Sequence, residues 1–374
     1  MIEKEERIRR RHRRTTRVSE IIEFLEYLAP PAMASPSQPH GLQTGSASAP
    51  VRTVVVSPMA SYNALSTAAA HRQCILIISA PLITTPLSSV RSDDPISSKV
   101  SYLLEHRVNL YVLSNSFFSA PGGFDDSLAE KLGMAATSLL APTAFEQQYK
   151  IVVYTPRKAL NRVMTAAAEA GAGRLGQYTH CSFQTEGVGT FIPQAGAHPT
   201  IGEKGKLEQV EEVRLEMLVS QRELQGVIAA VLDAHPYEEV AYDLYHVHNP
   251  GIQYGRGRVG ELPLKVSLDT VIAQVQDALR VQSVRCTHRP EFPISSLAAV
   301  SGMCDGLFWN ANRAGVGAVV AGMYSLQEQM LADNSATVLI DVGYSASVAP
   351  GLKRLSSQLE QTFTSEGLEL IYVS

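Results

Sequence analysis

The stretch Ile75–Pro86, ILIISAPLITTP, places four apolar, strand-favouring residues directly before a Ser-Ala-Pro segment. Such a short apolar run is typical of a buried strand in a parallel sheet. In open α/β sheets, ligands usually bind beyond the carboxyl ends of these strands. Here that end carries only a hydroxyl at Ser79, a methyl at Ala80 and a ring without an N–H group at Pro81. The stretch therefore predicts an α/β fold and raises the question of whether its strand ends carry functional groups.

Strand and helix patterns alternate on both sides of this stretch. TVVVS at 53–57 and NLYVL at 109–113 predict strands, and the segments 62–71 and 97–106 predict helices. Apolar residues at helical spacing also predict a helix over 18–28. The same alternation returns after about Thr270 and continues to the final strand LELIYV. Alternating strands and helices favour a sheet that is largely parallel.

The middle of the chain has a different pattern. The strands YKIVVYTP, EEVRLEMLV and EVAYDLYHV, a polar strand-like segment and two helices predict the order βαββαβ, which is the split arrangement of ferredoxin-like modules. The predicted fold class is therefore α/β, with a two-lobed α/β body at 18–147 and 249–374 that is interrupted by a ferredoxin-like insert at 148–248. Residues 1–17 are predicted to form a basic, disordered tail.

The composition excludes several classes of protein. With 45% hydrophobic and 18% charged residues, the chain resembles an ordinary globular protein, and no apolar run approaches the roughly 20 residues that span a bilayer. The four scattered cysteines indicate a reduced compartment, so we expect a cytoplasmic protein, with a nuclear or mitochondrial location left open. A nucleic-acid partner is suggested only by the basic tail, which has eight Lys or Arg and three Glu. No membrane partner is expected.

One glycine-rich motif matches the dinucleotide-binding pattern GxGxxG in sequence but lacks the structural context that this pattern requires. Residues 255–260 read GRGRVG, but the Glu-Leu-Pro that follows at 261–263 would interrupt the helix that a dinucleotide site requires. We interpret this segment as a hinge that returns from the insert to the body.

The densest polar segments, 176–191 and 234–243, lie in the insert. They supply the candidate ligand or subunit-contact residues Tyr178, His180, Cys181, Glu186, Gly187, Gly189, His235, Tyr237 and Glu238. One interpretation is a site at one sheet edge for a small ligand or another subunit. The alternative is ordinary polar decoration of an edge strand with a turn at Glu186-Gly187. The pair His246 and His248 shares a strand face but lacks the further ligands that a metal ion needs.

Several motifs together resemble the NIF-three-like family, whose members are often named GTP cyclohydrolase I type 2 homologues. The body carries this resemblance through GLQTG at 41–45, SAPGGFDDSLAEKLG at 119–133 and DVGYSASVAPGL at 341–352. The insert carries it through GAGRLGQYTHCSFQTEGVGTF at 171–191, and is similar to the PII and divalent-cation-tolerance modules found in some members.

The resemblance implies a body that holds two divalent metal ions between sheet ends and assembles as a ring-like homo-oligomer, a trimer or hexamer. The family takes its ligands from His-His after the second strand, His and Asp before an Ala-Pro-Gly-Gly turn, and His and Glu near the C-terminus. The matching positions here are Ser79, Ala80, Ser114, Phe118, Tyr344 and Val348. Since these side chains are poor ligands for Zn²⁺, Fe²⁺ or Mn²⁺, we expect no metal cofactor and a degenerate site.

Three functional hypotheses follow. The first is a metal-free, non-catalytic homologue that acts as a homo-oligomeric scaffold or regulatory protein. The second is an enzyme of the GTP cyclohydrolase type 2 kind, or another nucleotide-directed hydrolase, that uses His180, Glu186, His235 and Glu238 as acid and base groups. The third is a sensor that binds a small ligand in the insert.

Overall fold

The computed structural model describes residues 15–33, 38–194, 196, 203–364 and 367–374. The chain forms two compact units, a body at 1–144 and 254–374 and an insert at 145–253. The borders predicted at 148 and 248 lie just inside this insert. Residues 1–14 of the predicted tail lie outside the described residues. Thr16 and Arg17 do not belong to a tail, because Arg17 forms a β-bridge with Pro50 and the Thr16 carbonyl accepts from Val51 N.

The strands are β1 Gly41–Thr44, β2 Thr53–Ser57, β3 Cys74–Ile78, β4 Asn109–Val112, β5 Ala135–Phe145, β6 Gln148–Pro156, β7 Ser182–Phe191, β8 Glu208–Ser220, β9 Tyr242–Val247, β10 Gln253–Val266, β11 Arg285–Cys286, β12 Ile294–Met303, β13 Ala318–Met323, β14 Val338–Asp341 and β15 Glu369–Tyr372. The helices are α1 Val18–Leu28, α2 Tyr62–Ala69, α3 Pro95–Glu105, α4 Ser116–Ser119, α5 Phe124–Lys131, α6 Leu160–Glu169, α7 Leu224–Ala234, α8 Leu268–Leu279, α9 Leu307–Arg313, α10 Leu326–Ala332 and α11 Tyr344–Phe363. Among the described residues, no helix is both long and apolar enough to cross a membrane.

The first body sheet contains β3, the strand formed by the apolar run that precedes Ser79. Within the described ranges its order is β1-β4-β3-β2-β15, with β4, β3, β2 and β15 parallel and β1 antiparallel at the edge. Every residue of β2 and β3 is buried, as their uninterrupted apolar runs predict. Separate apolar clusters cover the two faces of this sheet.

The second body sheet has the order β11-β14-β13-β12-β10-β5 among the described strands. The GRGRVG segment lies within β10 and pairs with β12, so the interpretation of this segment as a hinge is wrong. Its glycines serve close packing instead, since a Cβ on Gly255 would lie 2.7 Å from the Ala141 carbonyl oxygen of β5. Helix α10 was not predicted, although Ser325 and Glu328 form a capping box there.

The insert has the predicted order βαββαβ, from β6 through α6, β7, β8 and α7 to β9. Its described strands form an antiparallel sheet in the order β7-β8-β6-β9, and α6 and α7 share an apolar cluster with one face of that sheet. β7 pairs with β8 without interruption from Ser182 to Phe191. The alternative of a turn at Glu186-Gly187 is therefore wrong.

Candidate functional site

The name strand-end cluster is used here for the body positions that the resemblance assigns to metal ligands: Ser79, Ala80, Ser114, Phe118, Tyr344 and Val348. Ser79 directly follows β3 and is buried, and its Oγ donates a hydrogen bond to the Pro58 carbonyl oxygen at 3.0 Å. The Tyr344 hydroxyl, at the start of α11, donates to Ser79 Oγ at 3.2 Å. Two hydroxyl groups of the cluster are thus engaged with the protein itself.

The remaining members of the cluster contribute packing or local backbone contacts. Phe118 is buried in α4 and meets the Phe124 ring edge to face, with 5.0 Å between ring centroids. Val348 is fully buried in the same apolar cluster. The Ser114 hydroxyl accepts from the backbone N–H of Ser116 at 3.3 Å, and the backbone N–H of Ala80 donates to the Pro58 carbonyl.

A charged pair next to this cluster was not identified from the sequence. The carboxylate of Asp125 in α5 is fully buried, and accepts from Arg256 Nε at 3.0 Å and from the backbone N–H groups of Gly257 and Ser301 at 2.6 and 2.7 Å. The Arg256 guanidinium lies 5.0 Å from the centre of the Phe118 ring. Asp125 and Arg256 are 131 positions apart, so no local motif joins them.

The strand-end cluster does not fit a pair of divalent metal ions. Ala80, Phe118 and Val348 have no side-chain donor atom, and hydroxyl groups bind these ions well only when ionised. Burial raises the pKa of the Tyr344 phenol, with smaller opposing effects from Ser79 and Arg256, so its proton is retained at neutral pH. Among the described residues, no group of three or more His, Cys, Asp or Glu side chains is arranged to hold a metal ion.

The insert contains a cavity of about 560 Å³, the insert cavity, which lies within that unit alone. Its lining comprises Tyr154, Thr185, Glu186, Gly187, Val188, Gly189, Thr190, Phe191, Pro193, Glu212, Arg214, Tyr237, Glu238, Glu239 and Ala241. Five of the nine candidates predicted in the insert line it together, namely Glu186, Gly187, Gly189, Tyr237 and Glu238. The two polar segments of the sequence do therefore meet at one place.

Four predicted candidates do not line the insert cavity. Tyr178, His180 and Cys181 precede β7, and Tyr178 and His180 are exposed. His180 adopts a left-handed backbone conformation with φ of 59°, and its Nδ1 lies 3.2 Å from Thr179 Oγ1. Cys181 is tied by its backbone N–H to the Gly173 carbonyl at 2.9 Å. These residues therefore form a structured loop ahead of the edge strand.

His235, the fourth, is buried behind the insert cavity. Its Nε2 lies 3.1 Å from the Tyr154 carbonyl oxygen, which can only accept, and its Nδ1 accepts from the backbone N–H of Tyr237 at 3.2 Å. These two contacts specify the neutral tautomer that is protonated on Nε2. Burial lowers the pKa of the imidazole, which is consistent with this neutral state. Both ring nitrogens are thus occupied within the fold.

Several cavity residues lie on strands whose sequences show no unusual polar pattern, so they were not among the predicted candidates. Tyr154 on β6 and Arg214 on β8 are directly paired, so they share the face of the sheet opposite α6 and α7. The period-2 alternation of β8 places Glu212 on that same face and Glu211 on the other. That alternation was the available signal, but strand pairing was needed to show which face borders a cavity.

Comparison with known proteins identifies the family. The profile of Duf34/NIF3 (NGG1p interacting factor 3) matches residues 16–374. Proteins named GTP cyclohydrolase 1 type 2 homolog from Bacillus subtilis and Halalkalibacterium halodurans are 35% and 32% identical over 294 residues, or 79% of each chain. A solved structure of a Bacillus cereus protein related to NIF3 matches with a TM-score of 0.87 and 29% identity, over 96% of this chain and 97% of that one. The family that the sequence motifs indicated is confirmed, and the chain belongs to the Duf34/NIF3 family.

Proposed function

We propose that this chain is a metal-independent, non-catalytic member of the Duf34/NIF3 family that acts as a homo-oligomeric scaffold or regulatory protein. The observation that carries the proposal is the hydrogen-bonded chain from Tyr344 through Ser79 to the Pro58 carbonyl. It joins the start of α11 to the end of β3 through hydroxyl groups whose protons are already committed. Because both protons are engaged in these hydrogen bonds, both hydroxyls stay in the neutral form, which is a poor ligand for divalent ions.

The charge beside the strand-end cluster supports the same proposal. Arg256 is held by Asp125 and by the carbonyl oxygen of Ser301, at 2.9 Å from its Nη2, so its guanidinium is fixed in place. It lies against Phe118 and acts electrostatically on Tyr344, two members of the cluster. The ion pair of Arg256 and Asp125 contacts Phe118 through its cationic partner, which disfavours a divalent cation beside that ring.

Metal analysis tests this proposal directly. The purified full-length chain, expressed in medium supplemented with zinc, iron and manganese, should contain far less than one ion of each per chain by mass spectrometry of the elements. Arg256→Gln serves as a second variant: it removes the fixed charge while the ligand-poor side chains stay, so it should remain metal-free. Two tightly held ions per wild-type chain would overturn the proposal.

The assembly part of the proposal rests on family membership and on the resemblance described above. A trimer or hexamer is expected when the mass of the protein in solution is measured in the presence of a chelator. A monomer at micromolar concentration would contradict the scaffold function. An assembly that falls apart on chelation would contradict metal independence.

The names of the relatives suggest the alternative of a GTP cyclohydrolase type 2-like or other nucleotide-directed activity. The geometry of the insert argues against the acid and base groups considered for it. His180 lies outside the insert cavity, and both ring nitrogens of His235 are hydrogen-bonded within the fold. We therefore expect no GTP turnover by the purified protein. Turnover that His180→Ala abolishes without unfolding the chain would reverse this conclusion.

The insert cavity favours one specific form of regulation, in which the insert senses a small ligand. Its volume of about 560 Å³ falls in the range that small-molecule sites occupy, roughly 300–1,000 Å³. A ligand that binds the folded insert raises its apparent stability. Thermal unfolding in the presence of nucleotides, organic acids and amines tests this function, and a flat response to all three classes would reject it.

A further inference from the structure

The insert cavity has an uneven distribution of charge. Four carboxylates line it, from Glu186, Glu212, Glu238 and Glu239, whereas Arg214 is the only Lys or Arg among its described lining residues. Arg214 Nε lies 3.0 Å from Oε1 of Glu216, a carboxylate that does not line the cavity and that also pairs with Lys150. Carboxylates therefore dominate the electrostatics of the cavity.

The four carboxylates are not equally compensated. Glu186 forms an ion pair with Arg157, a residue that does not line the cavity. Glu212 forms no ion pair with any residue that the structure describes, although it lies on a paired strand inside the sheet. A Cβ on Gly189 would approach Glu212 Oε2 to 2.2 Å, so the glycine is what allows this carboxylate to lie against β7.

Aromatic side chains complete the recognition surface. Tyr154, Phe191 and Tyr237 line the cavity together with the carboxylates. The Tyr237 hydroxyl is buried and interacts with the Glu212 carboxylate, although their geometry falls short of a standard hydrogen bond. Burial raises the pKa of Tyr237 to about 12, with a smaller contribution from Glu212, so the hydroxyl is a neutral group beside a negative one. Aromatic faces beside carboxylates attract organic cations.

The spacing of the carboxylates indicates whether the cavity is suited to a metal ion or to an organic cation. No three carboxylate, imidazole or thiolate side chains converge as metal ligands among the described residues, those of the cavity included. The negative charge is instead distributed around a volume that holds a molecule of many atoms. A distributed charge next to aromatic rings matches an ammonium group that carries an apolar or aromatic portion.

We propose that the insert cavity binds a small organic amine in its protonated form, with Glu212 as the principal counter-ion and the aromatic lining in contact with the apolar part. This inference rests on the proposed sensor function and specifies the class of its ligand. In this site Glu212 supplies the negative charge, Tyr237 supplies an aromatic contact, and Gly189 leaves the space that the Glu212 carboxylate occupies.

Three probes with one ring and different charges test the proposal on the full-length protein. Tyramine is a cation at neutral pH, 4-ethylphenol is its neutral analogue, and 3-(4-hydroxyphenyl)propionate is an anion in which a carboxylate replaces the ammonium group on the same two-carbon side chain. Isothermal titration calorimetry should give a lower Kd for tyramine than for either analogue. Binding of the anion as tightly as tyramine, or no measurable binding of tyramine, would overturn the proposal.

A pair of neighbouring variants assigns the effect to the cavity. Glu212→Gln keeps the shape of the side chain and removes its charge, and it should weaken tyramine binding about tenfold, the loss of one charge-assisted contact. Glu211→Gln is the control, because Glu211 lies on the same strand, faces the other side of the sheet and is exposed. Circular dichroism checks that both variants are folded. Equal weakening by both variants would overturn the assignment to Glu212.

The outcomes also separate this inference from the sensor function on which it rests. If nucleotides or organic acids stabilise the protein and tyramine does not bind, the cavity is a sensor site of the opposite charge preference and the amine proposal fails alone. If no ligand class stabilises the protein and tyramine does not bind, both proposals fail.

Discussion

The hydroxyl of Tyr344 donates a hydrogen bond to Ser79 Oγ at 3.2 Å, across 265 positions of sequence. The Ser79 hydroxyl donates its own hydrogen bond to the Pro58 carbonyl oxygen, so three segments of the body are held by one chain of two hydrogen bonds. The resemblance assigns the positions of both hydroxyls to metal ligands. A direct contact between two such positions gives the body a way to hold these segments without an ion.

We predict that Tyr344→Phe lowers the stability of the body by about 0.5–1.5 kcal/mol, the usual net contribution of one hydrogen bond. The ring remains, so packing around it is retained. Hydrogen exchange measured by mass spectrometry reports the opening free energy of body and insert peptides separately. The loss should appear in peptides of β3 and α11.

Tyr62→Phe is the matched control, because it makes the same chemical change in the body at a residue that is 79% exposed. It should leave the exchange of body peptides unchanged. If Tyr344→Phe also leaves the exchange of body peptides unchanged, the hydrogen bond to Ser79 does not stabilise the body. The same measurement with a chelator should give identical wild-type values.

Ser347, one turn further along α11, supports a second prediction. Its Oγ is buried, donates to the Tyr344 carbonyl at 2.7 Å and accepts from the backbone N–H of Gly302 at 2.9 Å. Ser347→Ala leaves this buried N–H without its partner, which should cost about 1–3 kcal/mol. Chemical denaturation checks the value.

Ser357→Ala, on the same helix, serves as the comparison for Ser347. Ser357 is exposed, and within the described residues its hydroxyl donates one hydrogen bond, to the carbonyl oxygen of Lys353 at 3.2 Å. This variant should unfold at the wild-type denaturant concentration. Equal effects of the two substitutions would mean that the contact with Gly302 contributes nothing specific.

The fold was largely predictable because apolar periodicity acts locally. β2 begins and ends at the predicted residues Thr53 and Ser57, since its whole run of five residues is buried. The pattern was insufficient where an element is short or contains many glycines. The segment at 255–260 resembled a loop by composition, yet its glycines allow β10 to lie close to its neighbouring strand.

The candidate sites were only partly predictable because they depend on which strands pair. Glu186 and Tyr237 were both proposed from local polar composition, and the structure places them on one cavity. Glu212 was missed because its surroundings depend on the pairing of β7 with β8, the strand that carries it. Asp125 and Arg256 were missed for the same reason: a buried ion pair between distant positions leaves no spacing pattern in one sequence.

The buried pair of Asp125 and Arg256 gives the third prediction. Arg256→Gln removes the cation from a carboxylate that is fully buried, which should lower stability by about 3 kcal/mol, near the lower limit for breaking such a pair. The lower limit applies because Asp125 keeps its hydrogen bonds from Gly257 and Ser301. Urea denaturation of the full-length chain measures the change.

Two further variants make the result for Arg256 specific. Arg289→Gln removes a cation from an exposed pair with Asp269 and should have no measurable effect. Adding Asp125→Asn to Arg256→Gln removes the uncompensated charge and should restore part of the lost stability. If the double variant is less stable than Arg256→Gln alone, charge compensation is not the function of this arginine.

The last prediction concerns the pH dependence of the insert. Burial lowers the pKa of His235 below its ordinary value of 6.5, and Arg162 has a smaller effect in the same direction. Below pH 6.5, therefore, His235 is protonated in the unfolded chain, whereas in the folded insert it stays neutral until the pH reaches its lower folded-state pKa. The contribution of neutral His235 to stability is complete above that pH and is lost as the pH falls from 6.5 towards the lower folded-state pKa, with a slope of at most about 1.4 kcal/mol per pH unit.

Hydrogen exchange of insert peptides between pH 5 and pH 7.5, corrected for the intrinsic exchange rate, measures this slope. In His235→Gln the slope should be shallower, because the amide does not titrate while its N–H group can still reach the Tyr154 carbonyl. The control is His180→Gln, which replaces an exposed histidine of the same unit, and this variant should retain the wild-type slope. A slope that is unchanged in His235→Gln would show that the contacts of this imidazole with Tyr154 and Tyr237 do not depend on its protonation, contrary to the tautomer that those contacts specify.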